Sequence, residues 1–286
     1  MNSKIELGTR AVQEATRLRA RLGIESTAAI CPFDMAADLG VVVRLHALPS
    51  LEGIYSPEEK SVVILSSERP WGRIRHTCAH ELGHHVFGHG ASIDEPGLNG
   101  HKAWKPEEFM ADRFATGLLM PKLAVMAAVE RHGWNVAKLS AEQAFVLAQE
   151  FGVGYTNFIS HLERTLKVMD PRTAQELRRN GLNLKRIRNA VAGFDVAHDV
   201  FVGDEHWGAR PIDIETGDIV VIPPNALFCG HCARMMHEPI PHLLGVTAGE
   251  GRLNLRSRSS ALHVRVSQRG FTGLARYRHM DEFDDE

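Results

Sequence analysis

HTCAHELGHHVFGHG, residues His76 to Gly90, carries five of the chain's sixteen histidines. After Pro70 the run from Ile74 to Phe87 contains a single glycine, Gly83, and reads as helix. At 3.6 residues per turn, His80 and His84 then share one face. With Glu81 between them they spell H-E-x-x-H, the arrangement in which two histidines hold one zinc. The glutamate stands one position further round, where its carboxylate can act as general base on a water at the open coordination position. The ordinary alternative is a polar helix with satisfied surface histidines, and the motif alone does not decide between the two.

The residues downstream bear on that choice. PEEFMADRFATGLLMP, Pro106 to Pro121, opens with the proline expected in the first turn of a helix. Glu108 and Asp112 lie four apart on one face. Glu108 can complete a His, His, Glu set that leaves a coordination position open. Glu107 competes for that place, but the helical register with Ala111 and Asp112 favours Glu108. Asp112, one turn on, can accept a hydrogen bond from the non-ligating nitrogen of a zinc histidine. Ala111 and Ala115 keep the surface small enough for a close approach to the histidine helix.

CAHELGHHVFGH, the Glu108-x-x-Ala-Asp-x-Phe-Ala pattern and the LLMP ending together resemble the ImmA/IrrE family of zinc metallopeptidases. PFDMAADLGVVV, VVIL and QEFGVGYTNFISHLE also fall where that family has its helix, sheet and helix-turn-helix-like segment, so the resemblance spans about residues 10 to 168. It implies a gluzincin-like fold, zinc on His80, His84 and Glu108, and Glu81 as catalytic base. It further implies that the chain cleaves, or provokes cleavage of, a helix-turn-helix repressor and so releases stress-response or mobile-element genes. One position departs from the family. Four residues before His80, where a bulky side chain is usual, stands His76, readable as a group supporting the ligands or as a plain surface histidine. His85 points about 100° away from the metal face, and His89 follows Gly88, where the helix is expected to end; both are read as incidental.

Around this centre the sequence predicts an α+β protein: a mainly helical zincin-like domain with a small sheet, then a small β-rich module. Ile5 to Leu22 and Pro32 to Leu39 read as helices, and VVVRLHAL and KSVVILSS as strands. The expected boundaries are a peptidase domain over 1–170, including a helix-turn-helix-like segment at 139–167, a helical connector over 171–194, a β-rich module over 195–280 and an acidic tail over 281–286. No stretch approaches eighteen uninterrupted apolar residues, and the opening residues lack a leader's apolar run. Four scattered cysteines point to a reducing compartment, so the expectation is a cytoplasmic protein with no membrane association. A net charge of −2 supplies no global field for nucleic acid.

Three further features invite a function. Cys229 and Cys232, with His237 and His242 nearby, have zinc-knuckle spacing but no second pair, so a turn with two partly buried thiols is the plain reading and a second metal the weaker one. The 139–167 segment could offer Asn157, His161 and Arg164 to DNA, but Glu142, Glu150 and Glu163 oppose phosphate contacts. Arg252, Arg256, Arg258, Arg265, Arg269, Arg276 and Arg278 form a run without acidic residues, either a solvated face or a docking patch for nucleic acid or an acidic partner. The leading expectation is a zinc metalloendopeptidase acting on a protein substrate, a DNA-binding repressor. The alternative is a regulator that keeps the fold and binds a repressor or DNA without cutting.

Overall fold

The computed structural model of the chain describes residues 3–94 and 104–280. The acidic tail expected at 281–286 lies outside the described residues. By contacts the chain divides into two compact units, each drawn from more than one stretch: 1–125, 151–153 and 270–276 form the first, and 126–150, 154–269 and 277–286 the second.

The first unit opens with α1 (Lys4–Arg21), started by a capping box in which Ser3 and Glu6 bond each other's backbone amides. Its buried positions Leu7, Ala11, Ala15 and Leu18 recur at helical spacing. Arg19, on that buried side, donates to the carbonyls of Leu118, Glu25 and Ala28 at 3.0, 2.9 and 2.6 Å and so closes the corner after the helix. The short α2 (Pro32–Asp38) follows, then the strands β1 (Val42–His46), β2 (Gly53–Ser56) and β3 (Val62–Ser66). Next come α3 (Trp71–Phe87), β4 (Ser92–Asp94) and α4 (Pro106–Leu119). The sheet of this unit gains its fifth strand from far downstream, β13 (Gly273–Leu274), giving the order β13-β1-β3-β2-β4. Only β1 and β3 run parallel; the other neighbours are antiparallel.

Three of these five strands, β2, β4 and β13, have two to four residues each. Segments that short carry no alternation to read, which is why only β1 and β3 were expected from sequence. The pairing of β4 with β2, Gly53 opposite Asp94 and Tyr55 opposite Ser92, brings side chains from the sheet edge toward α3. On the other side α3 meets α4 without a side chain at the closest point. A Cβ built on Gly83 would stand 3.0 Å from the Cα of Ala111.

The helix α5 (Lys122–Arg131) continues the chain into the second unit. It is followed by α6 (Ala141–Phe151) and α7 (Tyr155–Ser160), which runs on into a π-helical turn at His161–Thr165. The segment expected as a connector holds α8 (Pro171–Asn180) and α9 (Leu184–Ala192). Asp170 caps α8 by accepting from the amides of Arg172 and Thr173 at 2.9 and 3.0 Å.

Two four-stranded sheets complete this unit. One orders β5 (Val200–Val202), β7 (Ile219–Val221), β10 (His242–Gly245) and β9 (Ala233–Met236) side by side. The other orders β6 (Ile212–Glu215), β12 (Leu262–Ser267), β11 (Gly249–Asn254) and β8 (Leu227–Cys229). Phe201, Val220 and Leu243 from one share a buried core with Ile212, Leu253, Val264 and Val266 from the other. The fold is thus α+β with a β-rich C-terminal part.

Candidate metal centre

The centre lies within the first unit. His80 and His84, four apart on α3, direct their Nε2 atoms to within 3.1 Å of each other. Glu108 from the first turn of α4 brings Oε2 to 3.4 Å from His80 Nε2 and 3.8 Å from His84 Nε2. One donor atom from each residue lies within 4.8 Å of the others, and among the described residues no other such group of three is found. Glu107, the competing residue, is exposed and outside the group. Gly83 allows the convergence, because a side chain there would push α4 and its Glu108 away.

The ring nitrogens turned away from this point are also held. His80 Nδ1 lies 2.9 Å from Asp112 Oδ1, the carboxylate one turn beyond Glu108. His84 Nδ1 lies 3.0 Å from Nδ1 of His89. His89, read from the sequence as incidental rather than a ligand, is outside the donor group, but its ring stands against His84. His89 belongs beside the ligands because Gly88, with φ +66°, ends α3 in the left-handed region and folds the chain back. His85 does point elsewhere, to the hydroxyl of Tyr55 at 3.1 Å. His76 is half-buried on α3, and burial lowers its pKa to about 4, with Asp112 close enough to oppose the shift.

Glu81 is fully buried. Ser92 on the edge strand β4 donates to its Oε2 at 2.7 Å, while its Oε1 is buried with no hydrogen-bond partner. Burial is the chief cause that pushes its pKa up to about 7. Gly53 on β2 makes the space, since a Cβ there would stand 2.9 Å from Glu81 Oε1 and 2.6 Å from Thr77 Cγ2. Asp94, two residues after Ser92, brings Oδ2 to 3.6 Å from His80 Nε2. Ser92, Asp94 and Gly53 carry no motif; the register of a three-residue strand places them.

The electrostatics describe a set of donors suited to a cation. Burial works against a charge on His80, yet the hydrogen bonds its ring donates to Asp112 and Glu108 prevail and raise its pKa well above the ordinary value. The hydrogen bond to His80 holds Glu108 at about 2, ionised. Burial and the neighbouring His80 push His84 down to about 4, leaving its imidazole neutral and able to ligate. A site that binds a proton so tightly between two carboxylates is one that a divalent cation satisfies.

The other candidates are placed differently. Cys229 is exposed and Cys232 buried, with burial pushing the Cys232 thiol up to about 11, and neither joins a group of three metal-capable residues. Nδ1 of His242 bonds the Ile240 carbonyl at 2.8 Å. In the helix-turn-helix-like segment, α7 does begin at Tyr155, but His161 is buried, and the Tyr155 hydroxyl donates to the Leu177 carbonyl. Among the arginines, Arg265 pairs with Asp213 across neighbouring strands at 2.5 and 3.0 Å, and the buried Arg278 lies 3.6 Å from the same carboxylate. Arg269 bonds Glu215 and Asp218 at 2.9 and 2.7 Å, and Arg258 donates to the Trp207 carbonyl at 2.5 Å. Arg252, Arg256 and Arg276 are exposed.

An HExxH helix against a small mixed sheet, with a glutamate from the next helix closing a three-residue donor set, defines a metallopeptidase-type domain. Residues 36–160 match the family model described as the IrrE N-terminal-like domain, a peptidase family. This segment contains every residue of the centre, and the match is consistent with the resemblance to ImmA/IrrE proteins in the sequence. No curated protein matches the chain.

Proposed function

We propose that the chain is a zinc-dependent metalloendopeptidase, with zinc on His80, His84 and Glu108 and Glu81 as general base. The observation that carries this reading is the convergence of those three donors beside a buried carboxylate, Glu81, that has one oxygen held and the other unpartnered. Bound zinc would supply Lewis-acid polarisation of the scissile carbonyl. The remaining work falls to Glu81. Ser92 fixes Oε2, so Oε1 is the atom that accepts a proton from the attacking water and returns it to the leaving amine. A pKa raised to about 7 suits a group that must both take and give that proton near neutrality. Asp112 keeps the ring of His80 oriented while this happens.

The substrate we assign is a protein, a helix-turn-helix transcriptional repressor whose cleavage switches on stress-response or mobile-element genes in the cytoplasm; the resemblance to ImmA/IrrE proteins supports this choice. Among the described residues no helix is long and apolar enough to cross a membrane. The internal pairing of Arg258, Arg265, Arg269 and Arg278 speaks against a nucleic-acid face built on that run.

Glu81→Gln tests the reading. The variant should keep its zinc and lose about 1,000-fold in kcat/KM on any cleaved protein, the scale of general acid–base assistance. Expression beside genomic neighbours should yield a repressor fragment with the wild type and none with Glu81→Gln. Repressor release that persists unchanged in the variant would sink the peptidase reading in favour of a regulator acting by binding.

A further inference from the structure

We propose that His89 is a positioning residue for the metal ligand His84, fixing its tautomer through an imidazole-to-imidazole hydrogen bond. The inference rests on the metal-centre reading above and extends it to a residue outside the donor set. His84 faces His80 through Nε2, so Nδ1 is the nitrogen left to its surroundings, and its neighbour at 3.0 Å is His89 Nδ1. Two imidazole nitrogens at that distance cannot both present lone pairs; one must carry the hydrogen. For His84 to offer its Nε2 lone pair to a cation, its proton must sit on Nδ1 and be donated to His89. The proton of His89 then sits on its own Nε2, and both tautomers are set by one contact.

The placement of His89 is built into the end of α3. Gly88 turns the chain in the left-handed region, and the His89 amide bonds the His84 carbonyl at 2.9 Å, so the partner is tied to the backbone of the residue it supports. Its ring stacks on Phe87, with centroids 5.5 Å apart and planes at 28°, and stands edge-on to His84 at 5.1 Å. The two histidine ligands are thus supported unequally. His80 Nδ1 faces a carboxylate, Asp112, whereas His84 Nδ1 faces an imidazole. A carboxylate draws the Nδ1 proton more strongly and makes the ring a better donor to metal; the imidazole draws it less. The geometry therefore assigns His84 as the more weakly reinforced ligand and His89 as the group that keeps it aligned.

The test uses the full chain loaded with Zn2+ alone, with affinity measured by chelator competition and the visible spectrum recorded on the Co2+ form. His89→Phe keeps a ring against Phe87 but removes the acceptor. It should loosen zinc by about 10- to 100-fold, as loss of a ligand's outer partner does elsewhere, and shift the cobalt bands. His89→Asp restores an acceptor without the ring and should recover most of that affinity. A His89→Phe protein with wild-type zinc affinity and an unchanged cobalt spectrum overturns the proposal. So does a His89→Asp protein that binds no better than His89→Phe, which would assign the loss to packing. A His84→Ala control keeps the two readings apart: it should lose zinc binding, and wild-type affinity there would bring down the metal centre itself.

Discussion

At Glu81 the constraint is space as much as charge. Its carboxylate is buried between Ser92, which bonds one oxygen, and the bare backbone of Gly53, which leaves room for the other. Gly53→Ala would set a methyl 2.9 Å from Oε1 and 2.6 Å from Thr77, so the carboxylate must shift. A displacement of about 1 Å in a reacting group costs on the order of 100-fold in rate. The expected outcome is a Gly53→Ala protein that retains zinc, measured by metal analysis, and cleaves about 100-fold more slowly; undiminished kcat/KM would show that Glu81 does not need that space. Residues of this kind mark where the sequence stops being legible. His80, Glu81, His84, Glu108 and Asp112 can be picked out because helical spacing alone puts each on a known face. Gly53, Ser92 and His89 cannot, because their positions follow from strand register and from a left-handed turn after the helix.

At the scale of elements, the contact that assembles the donor set is that between α3 and α4. Gly83 lies over the backbone of Ala111, and Phe87 and Phe114 meet edge-on nearby, centroids 5.7 Å apart. Gly83→Ala would improve the intrinsic helix propensity of α3 by up to about 1 kcal/mol. The new Cβ, however, would stand 3.0 Å from the Ala111 Cα, a backbone atom that moves only with its helix. Overpacking of this kind costs about 1–3 kcal/mol, so the net change expected is a loss of stability, read as a lower urea midpoint. Because Glu108 rides on α4, zinc affinity should fall with it; a Gly83→Ala protein with unchanged midpoint and affinity would show that the close crossing is dispensable. Both helices were readable from their Pro-marked starts and apolar spacing, as were β1 and β3. The edge strand β4 was not, although it carries Ser92 and Asp94, because three residues of Ser-Ile-Asp hold no periodic signal.

For the molecule as a whole, the arginine run between Arg252 and Arg278 shows why charge patterning in a sequence misleads. The acidic partners are distant in sequence and adjacent in the sheet: Asp213 on β6 lies in register with Arg265 on β12, and Asp218 and Glu215 receive Arg269. Asp213 also draws in Arg210 and Arg278, at 3.5 and 3.6 Å. His279 is buried in the same cluster, and burial first, then the adjacent Arg278, lower its pKa to about 3. That makes it a source of acid sensitivity far from the metal centre. Its folded-state pKa lies below that of the unfolded chain, so between about pH 3 and 6.5 the unfolded state binds more protons and stability rises with pH. The contribution is fully present above about pH 6.5 and is lost progressively as the pH falls. By pH 5 this one residue should remove about 2 kcal/mol of folding stability relative to neutral pH. His279→Phe cannot take up the proton. Whatever its baseline stability, the drop in its unfolding free energy between pH 7.5 and pH 5 should be smaller than that of the wild type by about 2 kcal/mol, measured by urea titration at each pH. Parallel pH profiles for the two proteins would mean that His279 titrates normally in the fold, and that Asp213 rather than the arginines sets its charge.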